Sequence, residues 1–192
     1  MLTPANSIKI VKQINEQIEK LMEKKDFIVV AIDGRCSAGK TTLAGLLKKE
    51  LGCNVIHADS FFLRPEQRTK ERYCMPGGNI DFERLKEEVL QPLKEHKPFA
   101  YRPFGCKTGS LLEPVTVMPT PVTIVEGAYS QHPQLLEYYD LQIFLDIDAD
   151  TQKERILKRN PQNAEMFFGK WIPLEEKYLE TFSVREKCRL VF

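Results

Sequence analysis

Phe27-Ile28-Val29-Val30-Ala31-Ile32-Asp33-Gly34-Arg35-Cys36-Ser37-Ala38-Gly39-Lys40-Thr41-Thr42 decides how this chain is read. The first seven residues are an apolar, β-branched run with strand character. The run stops at Gly34, and Gly39-Lys40-Thr41 follows after four intervening residues. Thr42-Leu43-Ala44-Gly45-Leu46-Leu47 then has helical spacing. Strand, Gly-x-x-x-x-Gly-Lys-[Ser/Thr], helix is the order of a phosphate-binding P-loop. The glycines let several backbone N–H groups converge on one anion. The helix that begins there aims its positive end at the same anion. Residues 34 to 42 (Gly34, Arg35, Cys36, Ser37, Ala38, Gly39, Lys40, Thr41 and Thr42) are therefore the expected nucleotide cradle. Lys40 adds a point charge for the outer phosphates, and the Thr41 hydroxyl can ligate Mg²⁺.

The rest of the composition narrows the class. A chain of 192 residues, 42% hydrophobic and 29% charged, is expected to form one globular domain. A net charge of +1 argues against a dedicated nucleic-acid binder. No apolar run approaches the ~20 residues of a membrane span, and the first residues carry no export signal. The five cysteines are odd in number, and none forms a Cys-x-x-Cys pair, so free thiols and a cytoplasmic location are expected.

Outward from the P-loop, strands and helices alternate. Thr3-Pro4 reads as the cap and first turn of an amphipathic helix carrying Ile8, Val11, Ile14, Ile18, Leu21 and Met22. The helix after the P-loop is expected to stop at Gly52. Residues 53–57, 121–127, 141–147 and 188–192 read as further strands. Asp150 reads as the cap of a helix reaching Arg159, and Asn160-Pro161 as a break. A short segment then runs to Gly169 before a last helix lined by Trp171, Leu174, Tyr178, Leu179 and Phe182. Between residues 60 and 120 prolines and glycines interrupt the pattern. Only 81–95 reads as a good helix there, and 99–101 and 115–118 as short strands of a hairpin-like insert. The expected architecture is α/β: a P-loop nucleoside triphosphate hydrolase fold with a mostly parallel five-stranded sheet, helices on both faces and an acceptor-binding insert at 60–120. Residues 159–170 are a candidate lid.

Three strands end in useful groups: the P-loop, Asp59 and Glu126. Strand ends of such a sheet share one crevice. Phosphoryl transfer needs a phosphate cradle, a metal and a group that readies the acceptor. Asp59 is the expected base, the alternative being a helix cap, and together with Thr41 and Glu126 it would face Mg²⁺; the alternative for Glu126 is a pair with a neighbouring cation. Arg159 suits either a solvated helix end or a lid closing on the transferring phosphate. Asp81 suits either an N-cap or a bidentate contact to sugar hydroxyls. Tyr101 and Phe104 suit either base stacking or the core. His57 reads as a packed histidine. Arg64, Arg68 and Arg72 lie in a charged loop from which one could reach substrate.

Several of these segments together resemble the uridine kinase-like branch of the P-loop kinases, related to phosphoribulokinase and pantothenate kinase. They are Gly34 to Thr42, His57-Ala58-Asp59-Ser60-Phe61-Phe62-Leu63-Arg64-Pro65, Pro76-Gly77-Gly78-Asn79-Ile80-Asp81, Tyr101-Arg102-Pro103-Phe104, Val125-Glu126-Gly127 and Asp146-Ile147-Asp148-Ala149-Asp150. The resemblance implies transfer of the γ-phosphate of ATP, with Mg²⁺, to the 5′-hydroxyl of a nucleoside. It implies Asp59 as base, Thr41 and Glu126 at the metal, Asp81 at ribose hydroxyls, Phe62 and Tyr101 in the acceptor pocket, and Arg159 in the lid. Three departures stand out, the first being that the lid of uridine-cytidine kinases is richer in arginine than Asn160-Pro161-Gln162-Asn163-Ala164-Glu165-Met166. Uridine-cytidine kinases carry tyrosine where Phe62 stands, and an insert histidine where this chain has none between His96 and His132. A kinase for a vitamin or sugar, or a non-catalytic nucleotide-binding protein, is the alternative. A guanine-reading switch is disfavoured, because Asn-Lys-x-Asp is absent. The expected partner is a small-molecule acceptor, with no nucleic acid and no membrane; a homo-oligomer is left open.

Overall fold

The computed structural model describes residues 4–192, with side chains from residue 6 onward. The expected cap at Thr3 lies outside the described residues. Helix α1 spans Pro4–Met22, β1 Ile28–Gly34, α2 Lys40–Leu51 and β2 Asn54–His57. The insert contributes α3 (Lys70–Cys74) and a helical rod of α4 (Phe82–Leu85), a π-helical turn (Lys86–Leu90) and α5 (Gln91–Lys94). Its short strands are β3 (Phe99–Tyr101), β4 (Phe104–Gly105), β5 (Ser110–Leu111) and β6 (Val115–Val117). The main sheet resumes with β7 (Val122–Glu126) and β8 (Leu141–Leu145). After it come α6 (Ala149–Arg159), α7 (Ala164–Met166), α8 (Ile172–Phe182), α9 (Val184–Lys187) and β9 (Leu190–Val191).

The sheet has five strands in the order β2-β7-β1-β8-β9, and every neighbouring pair is parallel. Parallel strands need crossovers, so both faces are covered. Alternation along β1 divides the core. Ile28, Val30 and Ile32 pack with Ile14 and Ile18 of α1 and Leu43 and Leu47 of α2. Ala31 faces the opposite layer, with Phe61, Phe82, Val125, Phe144 and Tyr178. Helix α2 ends as expected, at Gly52 in the left-handed conformation (φ 62°), whose N–H reaches the Lys48 carbonyl at 3.0 Å.

The structure corrects the cap of α6 and adds detail around the break that follows it. The cap of α6 is Asp148, which is extended and accepts from the Thr151 N–H at 2.9 Å; Asp150 lies inside the first turn. The proline at 161 starts a 3₁₀ turn (Pro161–Asn163) instead of a loop, and a π turn (Phe167–Trp171) carries Gly169 directly into α8. The candidate lid is thus helical. In the insert, β3 pairs antiparallel with β6 as expected, and a second pair, β4 with β5, closes within the intervening loop.

Arg72 holds the irregular insert together. Its guanidinium donates to the carbonyls of Gly78 and Ile80 at 2.8 and 2.9 Å and to both oxygens of Glu83 at 2.7 Å. It also stacks over Phe82 at 4.4 Å. One planar fork therefore satisfies backbone groups that no sheet or helix engages.

Candidate active site

Strand register brings the chemistry to one edge. His57 of β2 lies abreast of Glu126 of β7, which lies abreast of Ile32 of β1. Asp33 and Gly34 follow at the tip of β1 and open the P-loop. Gly34 has φ 133° and lies so close to β8 that an added Cβ would sit 2.0 Å from the Leu145 carbonyl oxygen. Ser37 (φ 62°) and Gly39 (φ 106°) are also left-handed, which turns the loop back on itself. The first-turn amides of α2 have no acceptor within the helix and face the loop's concavity. Lys40 is buried and donates to the carbonyls of Gly34 and Arg35, the latter at 3.0 Å.

Beneath the loop, Asp33 is completely buried. It accepts from the N–H of Gly34 at 2.7 Å, the N–H of Gln131 at 3.0 Å and the Tyr178 hydroxyl at 2.8 Å. Burial pushes its carboxyl pKa up, against the pull of Lys40 and these donors. The P-loop is gripped from outside as well. Arg35 pairs with Glu176 and Asp146, Gln152 donates to the Cys36 carbonyl at 3.0 Å, and Arg155 to the Ser37 carbonyl at 2.8 Å.

A cleft of about 850 Å³ opens over this edge. Cys36, Ser37, Gly39, Lys40, Thr41, Thr42, Asp59, Phe62, Glu126 and Arg159 all line it. The Thr41 hydroxyl donates to Glu126 Oε1 at 3.1 Å, and His57 Nδ1 lies 2.5 Å from the same oxygen. His57 is thus half-exposed and engaged, not packed in the core as its strand position suggests. The carboxylate raises the imidazole pKa. Asp59 has surface open to the cleft, yet protein crowds its carboxyl closely enough that desolvation raises the pKa. Lys40, His57 and Arg159 pull it down, and Glu126 pushes it up. Gly127, at φ 138°, leaves room beside it; an added Cβ would sit 3.3 Å from Asp59 Oδ1 and 2.9 Å from Ala58 Cβ.

Gly34, Arg35 and Ala38 shape the loop without lining the cleft. Asp81, Tyr101 and Phe104 also stand outside its lining. Asp81 is buried, accepting from the Arg84 N–H at 3.2 Å and the Gln67 side chain at 2.8 Å. Tyr101 is stacked on Phe61 with ring centres 5.4 Å apart. Phe104 is buried, with the Arg68 guanidinium 5.4 Å from its ring centre. Of the three loop arginines, Arg68 reaches the cleft, Arg72 clamps the insert, and Arg64 pairs with Glu66.

Reading the sequence missed Tyr73, Asn79, Tyr129 and Glu175, which all line the cleft. Tyr129 was the most detectable, three residues after Glu126. It is buried and holds φ 68°, a strained conformation for a tyrosine. Glu175 carried no local signal. It is buried on α8, and its Oε1 accepts from the Cys36 N–H at 2.6 Å.

Thr41, Glu126 and Asp59 supply hard oxygen donors at one edge of the phosphate cradle, a donor set that fits Mg²⁺ held jointly with phosphate oxygens. Among the described residues, no cluster of three His, Cys, Asp or Glu side chains stands ready to hold a metal by itself. No described helix is long and apolar enough to cross a membrane.

A family model described as phosphoribulokinase / uridine kinase matches residues 29–163. Among curated proteins, the chain is 30% identical over 142 residues to uridine-cytidine kinase B of Dictyostelium discoideum, covering 69% of this chain and 58% of that one. It is 28% identical over 171 residues to a uridine kinase of Chlamydia pneumoniae, covering 80% and 76%. Among solved structures, a possible uridine kinase from Bacillus stearothermophilus superposes with TM-score 0.66 at 22% identity, covering 94% of this chain and 99% of that one. That last likeness bears on the fold.

Proposed function

We propose, from the premise that this chain belongs to the phosphoribulokinase/uridine kinase family, that it transfers the γ-phosphate of ATP to a hydroxyl of a small molecule, the 5′-hydroxyl of a nucleoside being the leading acceptor. The observation that carries this reading is the meeting of three strand ends in one cleft: the P-loop, Asp59 and the Thr41–Glu126 pair.

The chain's own groups divide the work. The P-loop amides and Lys40 hold the polyphosphate. Thr41 and Glu126 would hold Mg²⁺, with Asp59 beside them, and the ion would supply positive charge against the phosphate charge. Asp59 accepts the proton of the attacking hydroxyl. Its raised pKa makes it a stronger base than a solvated aspartate, while Lys40 and Arg159 favour its ionised form. Arg159, at the end of α6, places a positive charge over the same space. The helical segment 161–171 roofs the cleft with Phe167 and Trp171, which excludes water from the transferring group.

The burial of Asp81 favours a second acceptor class within the same chemistry. Its carboxylate is already engaged by Arg84 and Gln67, so a vitamin or sugar alcohol that makes no demand on it also suits the cleft. Incubation with ATP and Mg²⁺ across a panel of nucleosides, vitamins and sugars, following ADP release, tests the reading. ADP release that requires a nucleoside supports it, and release that requires another alcohol selects the second class. Acceptor-independent hydrolysis, or no turnover with any alcohol, contradicts both.

A further inference from the structure

Helix α8 places two adjacent acids on the P-loop. Glu176 takes Arg35 through two hydrogen bonds, at 2.6 and 3.0 Å. Glu175 is only 4% exposed and lines the cleft. Its Oε1 accepts from the Cys36 N–H at 2.6 Å. An amide of the anion-binding loop is thus already engaged by an anion of the protein's own chain. Lys40, the loop's cation, meanwhile turns to the carbonyls of Gly34 and Arg35. A buried carboxylate in this place opposes a polyphosphate in the cradle.

We propose that Glu175 is an anion gate on the P-loop: ionised, it holds the Cys36 amide and repels polyphosphate, and nucleotide seats as this carboxylate takes up a proton. The inference rests on the P-loop reading of the function above. Burial pushes the Glu175 carboxyl up to about 7, with Lys40 and the Cys36 amide opposing and Asp33 and Glu176 reinforcing. Tyr129 faces it from the loop after β7. A bound polyphosphate adds negative charge nearby and raises this pKa further. Each nucleotide bound near neutrality therefore draws a proton from solvent to a Glu175 oxygen. By linkage, the same proton raises nucleotide affinity.

Glu175→Gln separates the gate from a mere strut, since the amide oxygen can still accept from Cys36 while the charge is gone. The measurement is calorimetric titration of the full chain with ATP at saturating Mg²⁺, between pH 6.5 and 8.5, in two buffers of different ionisation enthalpy. The wild-type Kd is expected to weaken about tenfold across that range, with net proton uptake near pH 7.5. The variant is expected to bind more tightly than wild type at pH 8.5, with a flat pH profile and no uptake. An equal pH dependence in both proteins, or weaker binding by the variant at every pH, overturns the gate. If the variant does not fold, the wild type alone decides: binding without proton uptake overturns the proposal. Failure of the wild type to bind ATP at any pH overturns the P-loop reading itself, and the gate with it.

Discussion

At the scale of single residues, the most consequential contact joins two strand tips and the first turn of α2, where Glu126 Oε1 takes the Thr41 hydroxyl and lies against His57. A cation held by Thr41 and Glu126 would replace the hydroxyl's present donation to the carboxylate. Glu126→Gln removes one negative charge from that position and little volume. Its expected effect is an apparent Mg²⁺ requirement raised about tenfold in ADP-release assays, the size of loss typical when a group supporting a metal is changed. An unchanged Mg²⁺ dependence removes Glu126 from the metal site. The P-loop, Asp59 and Glu126 were each legible from type and position, an acid or a glycine ending an apolar run. The engagement of His57 was not, because the pairing of β2 with β7 sets which residues stand abreast.

At the scale of elements, the entrance to the P-loop depends on how closely β1 approaches β8. Gly34→Ala forces a Cβ to 2.0 Å from the Leu145 oxygen at a φ of 133°. A backbone oxygen in a sheet cannot retreat cheaply, so the substitution is expected to cost about 3 kcal/mol or more. Chemical denaturation reads this as a lower midpoint; an unchanged midpoint would show that the two strands separate readily. The core strands were legible because parallel strands buried on both faces read as unbroken apolar runs. The helical course of segment 161–171 was less so. Pro161 and Gly169 are local breakers in the sequence, yet Pro161 stands in the first turn of a 3₁₀ helix, where its missing N–H costs nothing, and Gly169 lies within a π turn. Likewise, Glu175 looks like one acid among several on α8. Its meeting with Cys36, 139 residues earlier in the chain, is a product of the tertiary fold.

At the scale of the whole molecule, the layer containing the insert and α8 closes on a neutral histidine. His132 is 5% exposed and stacked on Phe82 with ring centres 4.0 Å apart, and its Nδ1 accepts from the Gln134 N–H. Burial first, then the charge of Arg72, push its pKa down to about 4. The unfolded chain protonates this ring near pH 6.5, and the folded chain does not until about pH 4. Between those values the unfolded state binds more protons, so stability falls as pH drops through the window, by at most about 3 kcal/mol from this group. His132→Gln is expected to flatten that part of the curve when urea unfolding is compared at pH 7.0 and 4.5. An identical slope in the two proteins would mean that the ring is not held neutral.

The whole molecule also supplies the decisive comparison, because the P-loop and Asp59 lie at the ends of different strands, with β7 between them in the sheet. Turnover and ATP binding of Asp59→Asn, measured with the acceptor that the panel identifies, test that union directly. The expected result is a kcat lowered at least ~100-fold, the usual scale for loss of a general base, with the Kd for ATP changed less than about threefold. Near-normal turnover in this variant, with ATP still bound, would contradict the assignment of Asp59 as the group that readies the alcohol.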